Sequence, residues 1–486
     1  MVRAFYIRSV AAVYVIAFVS FWRQAHGLIG ERGILPAASY LQSAAEQLGT
    51  LDAVLRLPTL LWLGAGDQAL HLLCITGVTS AFLGVIGWAP AICLSICWVC
   101  YLSIVHAGQV FFSYQWDTLL LEAGLLTILW APMALWPQFV WPGTPPRAAL
   151  WLSRWLLFRL MWSSGVVKLL SGDPTWRSLS ATHFHYETQP IPSWVSHFAH
   201  HLPPWFHTLE VVFTLGIELI LPLAIFGPRR WRLAAVAGFV LLQLCIALTG
   251  NYGFFNLLSL VLCLPLLTSG WWSQEPGVGP LVGPVVGPPG RNLPAMLVLP
   301  VALVLFLSGA MNLTATVGRP LGGIPWLQPV ERALAPLHLS SRYGLFAWMT
   351  TKREEIVVEG SQDGSDWEAY EFHWKPSHPA RRPSFAVLHM PRLDWQLWFA
   401  ALRGYEKAPW FGHFAARLLE AEPSVLGLMF RDAFDGTPPH YLRATLFDYH
   451  FSSPDQRSEG IWWNRTELRS YTPELSLSPR GSAGGR

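Results

Sequence analysis

Apolar stretches long enough to span a bilayer recur along the first two thirds of this chain, at roughly residues 6–22, 69–87, 89–106, 111–131, 150–171, 208–226, 231–249, 253–268 and 295–314. A helix needs about 20 residues to cross the hydrocarbon. No water-soluble core accommodates so many fully apolar helices, so the fold class is a polytopic α-helical membrane protein of about nine transmembrane helices. The proportion of charge agrees: 13% of the 486 residues are Asp, Glu, Lys or Arg, about half of the globular norm. The 253–268 stretch is short for a crossing, and only Trp88, Ala89 and Pro90 part the second stretch from the third, so an even count stays open.

Orientation follows from basic residues in the short connections, because Lys and Arg resist translocation. With the N-terminus inside, inner connections hold Arg3, Arg147, the cluster Arg229, Arg230 and Arg232, and Arg291, while longer outer loops hold Arg23, Arg32, Arg56 and Arg177. The first stretch begins MVRAFYIR and ends in FWRQ without a small-residue cleavage site close behind, so it reads as an uncleaved anchor. Nine crossings then put everything after about residue 315 on the outer face, which is the exterior in a bacterium and the lumen in an endomembrane.

Composition shifts set the domain limits. Residues 1–268 form the polytopic part, 269–294 a Pro/Gly-rich linker unable to hold a helix, 295–314 the last transmembrane helix, and 479–486 a disordered tail. Residues 320–478 read as an outward α+β domain with a sheet, tethered by that one helix. There, Glu355 to Trp374 alternates apolar and polar residues around Gln362 to Ser365, a hairpin signal. The hairpin's apolar faces are expected to pack on a strand at Tyr441 to Phe451. The spacing from Trp410 to Phe430 is helical.

The net charge is +3 with no basic stripe interleaved with aromatics, which excludes nucleic acid as a partner. All six cysteines lie in apolar runs, so no disulfide framework supports the soluble part. Cys93, Cys97 and Cys100 share one helical face, which suits either a metal or redox role or plain packing. There is no Gly-x-Ser-x-Gly elbow, no P-loop and no dinucleotide-binding fingerprint. The sequons at Asn312 and Asn464 are usable only in a eukaryotic lumen.

Three polar constellations stand out. FFSYQWDTLLLEAG carries Gln115, Asp117 and Glu122 into an apolar run, and the next run supplies Arg159 and Lys168. Each ionised group at a helix centre costs about 2.5 to 3.5 kcal/mol, so these residues form either a polar intramembrane site or ion pairs that lock helices together. The outer loop holds His183, His185, Tyr186 and Glu187 beside His197, His200, His201 and His207. This set is compatible with a metal site, although the spacing matches no strong motif, and it equally suits interfacial anchoring. TGNYGFFN, with Asn251 and Asn256, reads as a tight outer turn or a re-entrant polar element.

Depth counting refines the first constellation. At 1.5 Å per residue, Glu122 and Arg159 each lie roughly 13 Å from the inner ends of adjacent antiparallel helices, and this spacing predicts that they pair. Gln115 shares a face with Glu122 and could bond the same guanidinium. Asp117 points elsewhere, with Lys168 at a similar depth, and Glu218 is a competitor for Arg159.

Eight motifs in order, including GLIGERGILPA, GQVFFSYQWDTLLLEAG, RWLLFRLMWSSGVVKL, HYETQPIP, TGNYGFFNLL, SRYGLFAWMT, VVEGSQDGSDW and PRLDWQLWFAAL, resemble the lipase maturation factor family. They look most like the second of its two vertebrate paralogues. The resemblance implies a multi-pass endoplasmic reticulum membrane protein, chaperone-like, that assists maturation of secreted clients such as lipases, with no catalytic reaction and no cofactor. A bacterial member would sit in the cytoplasmic membrane. From the residues alone, an enzyme of carboxylase or acyltransferase type, acting on a lipid or translocated protein through the polar intramembrane residues, is the alternative. Polar residues converging on an open cavity would favour it.

Overall fold

A computed structural model describes residues 1–138, 141, 144–268, 292–318 and 328–477, with backbone alone at 328, 330 and 331. Residues 269–291 of the expected 269–294 linker and the expected tail at 479–486 lie outside the described residues.

Every apolar stretch is helical. The helices that carry these stretches, with one from the outer loop, are α1 (Val2–Trp22), α2 (Asp67–Ile86), α3 (Pro90–Ala107), α4 (Gln115–Trp130), α5 (Arg147–Leu170), the loop helix α6 (Ala181–Thr188), α7 (Pro204–Leu219), α8 (Arg229–Thr249), α9 (Phe255–Val261) and α10 (Ala295–Thr316). The second and third stretches are separate helices: Gly87, in the left-handed region at φ 87°, ends α2, and Pro90 opens α3 at a position where its missing N–H costs nothing.

Among the described residues six helices are long and apolar enough to cross a membrane: α1, α2, α3, α7 with its continuation to Ala224, α8 and α10. The other three differ for physical reasons. At 16 residues α4 is short, α9 is shorter still, and α5 carries Arg147, Arg154, Arg159 and Lys168. Burial makes this tolerable in α4, whose Leu119, Leu120, Leu121 and Ala123 are fully enclosed. Next to it lies α1, where Tyr6, Val10, Tyr14 and Phe18 are also fully buried, so α1 is the bundle's centre.

The C-terminal part has a four-stranded antiparallel sheet, ordered β2-β1-β5-β6, from β1 (Glu354–Ser361), β2 (Glu368–Ala369), β5 (Tyr441–Phe451) and β6 (Trp463–Ser470); β3 (Glu371–Phe372) and β4 (Met429–Arg431) pair separately. The hairpin forms, with Glu359 opposite Ala369. Its turn is held by Asp363, which accepts from the backbone of Ser365 and Asp366. Two expectations change. The second arm breaks after two residues, because β3 leaves to join β4. And β1 does not stack on the 441–451 strand but lies beside it in one sheet, from Glu354 opposite Asp448 to Ser361 opposite Tyr441. As an interior strand, β1 buries residues on both faces, so its alternation is a weak guide to packing. The helix expected over 410–430 ends at Leu419; Ala421 takes φ 49°, Pro423 starts a single new turn, and the chain enters β4.

The domain is more than tethered. Helix α11 (Arg392–Arg403) buries nearly its whole length, including Trp395, Gln396 and Leu397, against the bundle and the sheet.

Close approach of α4 to α1 is allowed by Gly124, where a Cβ would overlap the Tyr14 hydroxyl. Gly124→Ala is expected to lower the thermal midpoint of the detergent-purified protein, at an overpacking cost of about 1 to 3 kcal/mol. Gly216→Ala in α7, where a Cβ meets nothing within 4 Å, should leave it unchanged or raise it slightly. Equal responses would contradict the packing.

Candidate functional site

The charged intramembrane residues are all buried, with Gln115 half-buried beside them, and the charges resolve into three ion pairs. Glu122 and Arg159 pair as the depth count predicts. The second Glu122 oxygen accepts from the Tyr343 hydroxyl at 2.7 Å and from the Ser341 amide at 3.3 Å. Arg159 in turn donates to Ser340 Oγ at 2.9 Å and the Ser341 carbonyl at 3.2 Å. The pair therefore captures the 340–343 segment that leads into the C-terminal domain.

Asp117 departs from expectation. Its partner is not Lys168 but Arg392 at the start of α11, through two contacts of 2.7 and 2.9 Å, and Tyr101 donates to it at 2.6 Å. The guanidinium also lies 3.4 Å from the Phe112 ring centroid and donates to the Phe111 carbonyl. Gln115 does not reach Arg159. It accepts from the Gly344 amide at 3.0 Å and donates to the Gly344 carbonyl. Glu218 takes Lys168 rather than Arg159, at 2.7 and 2.9 Å.

Depth counting misplaced these partners because it assumed flush helix ends. Lys168 lies two residues before the end of α5, whereas Glu218 lies 14 residues after the start of α7. Helix α7 thus runs well past α5, and Arg392 enters the bundle from a segment that no hydropathy window includes.

The outer-loop candidates have varied fates. Glu187 accepts from the Phe451 amide at 2.6 Å and faces His450, pinning the loop to the end of β5. Just beyond it, buried Arg353 donates to the carbonyls of Glu187, Gln189 and Pro190 while paired with Glu355. Tyr186 donates to Glu210 at 2.5 Å, and His207 meets the other Glu210 oxygen. His183 lies against the His207 ring. The ring of His185 touches Tyr186 and Phe346. Among the described residues no group of three or more His, Cys, Asp and Glu is placed to hold a metal ion.

TGNYGFFN is a turn, with Gly253 at φ 57°. Asn251 bridges two parts of the chain, donating to Ser384 and accepting from Ala386, and Asn256 donates to Gln243 at 2.8 Å. Sequence reasoning missed Arg392, Tyr343, Arg353 and Glu210. Arg392 and Tyr343 had a signal: each lies in one of the motifs PRLDWQLWFAAL and SRYGLFAWMT.

Between α5, α6, α7 and α8 lies a cavity of about 400 Å³, walled on one side by Leu345, Phe346 and Met349. Lys168, Glu218 and His185 line it, whereas Asp117, Glu122, Arg159 and Glu187 do not. Phe346 is held at φ 54°, a conformation costly for a residue with a side chain.

The family model for the lipase maturation factor transmembrane domain matches residues 1–274, and that for the lipase maturation factor C-terminal domain matches 339–473. Lipase maturation factor 2 of Gallus gallus is 35% identical, covering 98% of this chain and 81% of that protein. Lipase maturation factor 2 of Homo sapiens is 36% identical, over 98% and 82%. Lipase maturation factor 1 of Bos taurus is 35% identical, over 98% and 89%. No solved structure matches.

Neutralising Asp117 leaves Arg392 buried without a counter-charge, at a cost of about 3 to 5 kcal/mol. Asp117→Asn should abolish stable expression or detach the C-terminal domain, seen as rapid trypsin cleavage around α11. The double variant Asp117→Leu with Arg392→Met should recover protection. Full stability of the single variant would contradict the pairing.

Acid should weaken the same face. Burial pushes His185, His197, His200, His338 and His389 down to about 4 from 6.5. Between those values the unfolded chain binds more protons, so stability falls as pH drops from 6.5 towards 4. Asp394, which burial pushes up to about 6, acts oppositely, since its folded form gains a proton first, but it is one group against five. The thermal midpoint should hold from pH 8 to 7 and decline steadily below 6.5; a flat profile to pH 4.5 would contradict the burial.

Proposed function

Because the chain belongs to the lipase maturation factor family, we propose that this multi-pass membrane protein is a chaperone-like factor for secreted clients, lipases among them. The observation that carries the reading is the pairing of the intramembrane charges. Asp117 is saturated by Arg392 and Tyr101, and Glu122 by Arg159, Tyr343 and the Ser341 amide. Groups so fully engaged stabilise an assembly rather than attack a substrate. They anchor the sheet domain to the bundle at several points and present its surface as one rigid body.

That surface is proposed to face the exterior or the reticulum lumen, where newly translocated clients are. The basic connections support this orientation, with Arg147 opening α5 and Arg229, Arg230 and Arg232 opening α8. In a eukaryotic host the endoplasmic reticulum membrane is the site; in a bacterial host it is the cytoplasmic membrane.

The test is complementation. Expressed in cells lacking their own maturation factor, the chain should raise the activity per mass of a co-expressed secreted dimeric lipase several-fold. A cysteine replacing Ser365 should react with impermeant maleimide only from the outer or luminal side. Unchanged lipase activity with the folded chain present, or labelling from the cytoplasmic side of intact vesicles, would overturn the reading.

A further inference from the structure

The cavity is not accounted for by client maturation. We propose that it binds a single-chain lipid with an uncharged, hydrogen-bonding head, of the monoacylglycerol class, entering sideways from the bilayer.

The walls fit a chain. Leu160, Met161, Leu242 and Phe255 line the depth, and about 400 Å³ falls within the range of small-molecule sites, which are mostly apolar with a few placed polar groups. From Leu160 to Lys168, both on its wall, is eight residues of α5, about 12 Å, so the space runs as a slot along that helix. Lining residues Leu209, Phe213 and Leu241 are also 44%, 65% and 58% exposed on the bundle surface. The slot therefore opens between α7 and α8 on membrane-spanning helices, where lipid is the surrounding solvent.

The polar end selects the head. Lys168 is neutralised by Glu218 and also donates to the Ser164 carbonyl. Glu210 is shared by Tyr186 and His207. No free cation is thus offered among these lining groups, and an ionised carboxylate or phosphate would meet two carboxylates. Among the neutral lining groups is His185, whose ring makes no hydrogen bond to any described residue. Its imidazole is held neutral by burial and by the nearby Lys168 charge, so one ring nitrogen donates and the other accepts. Hydroxyl and ester carbonyl groups match that pattern.

This inference goes beyond the client reading, and its failure is separable because lipase activation is not its readout. The full chain in detergent would be photolabelled with a diazirine-bearing monoacylglycerol. Label is expected on α7 or α8 peptides, competed by unlabelled monoacylglycerol at least tenfold better than by ionised fatty acid or diacyl phospholipid. Leu242→Trp, which fills the slot, should cut labelling at least tenfold, and His185→Phe at least threefold, with elution on gel filtration unchanged.

Cys245 lines the cavity and is exposed, while the other five cysteines are buried. In the unaltered chain saturating monoacylglycerol should therefore slow its alkylation several-fold. Label elsewhere, equal competition by charged or two-chain lipids, indifference to both substitutions, or an unprotected Cys245 would each overturn the proposal.

Discussion

An ionised side chain that has left water must meet its opposite charge close by, and in this protein that requirement joins the two halves of the molecule. Six charges, Asp117, Glu122, Arg159, Lys168, Glu218 and Arg392, sit within the apolar bundle, each almost fully buried. Left alone, each would cost several kcal/mol; paired and further hydrogen-bonded, they are tolerated. The consequence lies in where the partners come from. Lys168 and Glu218 join two bundle helices. Glu122 and Arg159 do the same and collect Ser340, Ser341 and Tyr343 besides. Asp117 is satisfied only when α11, 275 residues away, has docked. The sheet domain is therefore a structural requirement of the membrane part, and its position is set by where that carboxylate sits.

Once docked, the domain is held by neutral contacts that follow the same logic. Gln115 brackets Gly344 with both ends of its amide. Arg353 collects three carbonyls at the end of α6 and just beyond it, which would otherwise be buried acceptors without donors. Glu187 and Asn251 do the same for backbone amides of the domain. These groups share a role: they satisfy polar backbone where two units meet. His185 stands apart because it makes no such bond and faces the cavity instead. The segment that caps Glu122 continues into the cavity wall through Phe346, so anchoring the domain and shaping the cavity are one structural event.

Much of this was legible beforehand, for identifiable reasons. Hydropathy located every helix of the bundle, because burial in lipid acts on each stretch independently of the others. The break at Gly87 and Pro90, the turn around Asp363 and the strand from Tyr441 to Phe451 are local backbone preferences. The Glu122 and Arg159 pair was legible because both belong to adjacent helices joined by a short connection, where depth along the chain translates into depth in space. Depth counting failed for Lys168, whose partner sits on a helix that overshoots its neighbour, and for Asp117, whose partner is absent from every hydropathy window. In the sheet, two-residue periodicity marked β1 but not its place: an interior strand is buried on both faces, and β5 lies beside it, not beneath it.

The sequence by itself determined the membrane class, the helices, the turn-forming points and the family resemblance, because each depends on free-energy terms local to a few turns of chain or on motifs read in order. Only the tertiary structure decided which charge answers Asp117, that Gln115 serves a backbone and not a guanidinium, that Glu187 pins a strand, and that an apolar cavity opens beside His185. Those outcomes depend on closing loops of tens to hundreds of residues and on competition among partners of similar chemistry. Several arginines and lysines could neutralise a buried carboxylate equally well in isolation, and the one that does so is the one that the packing of every other element brings within 3 Å.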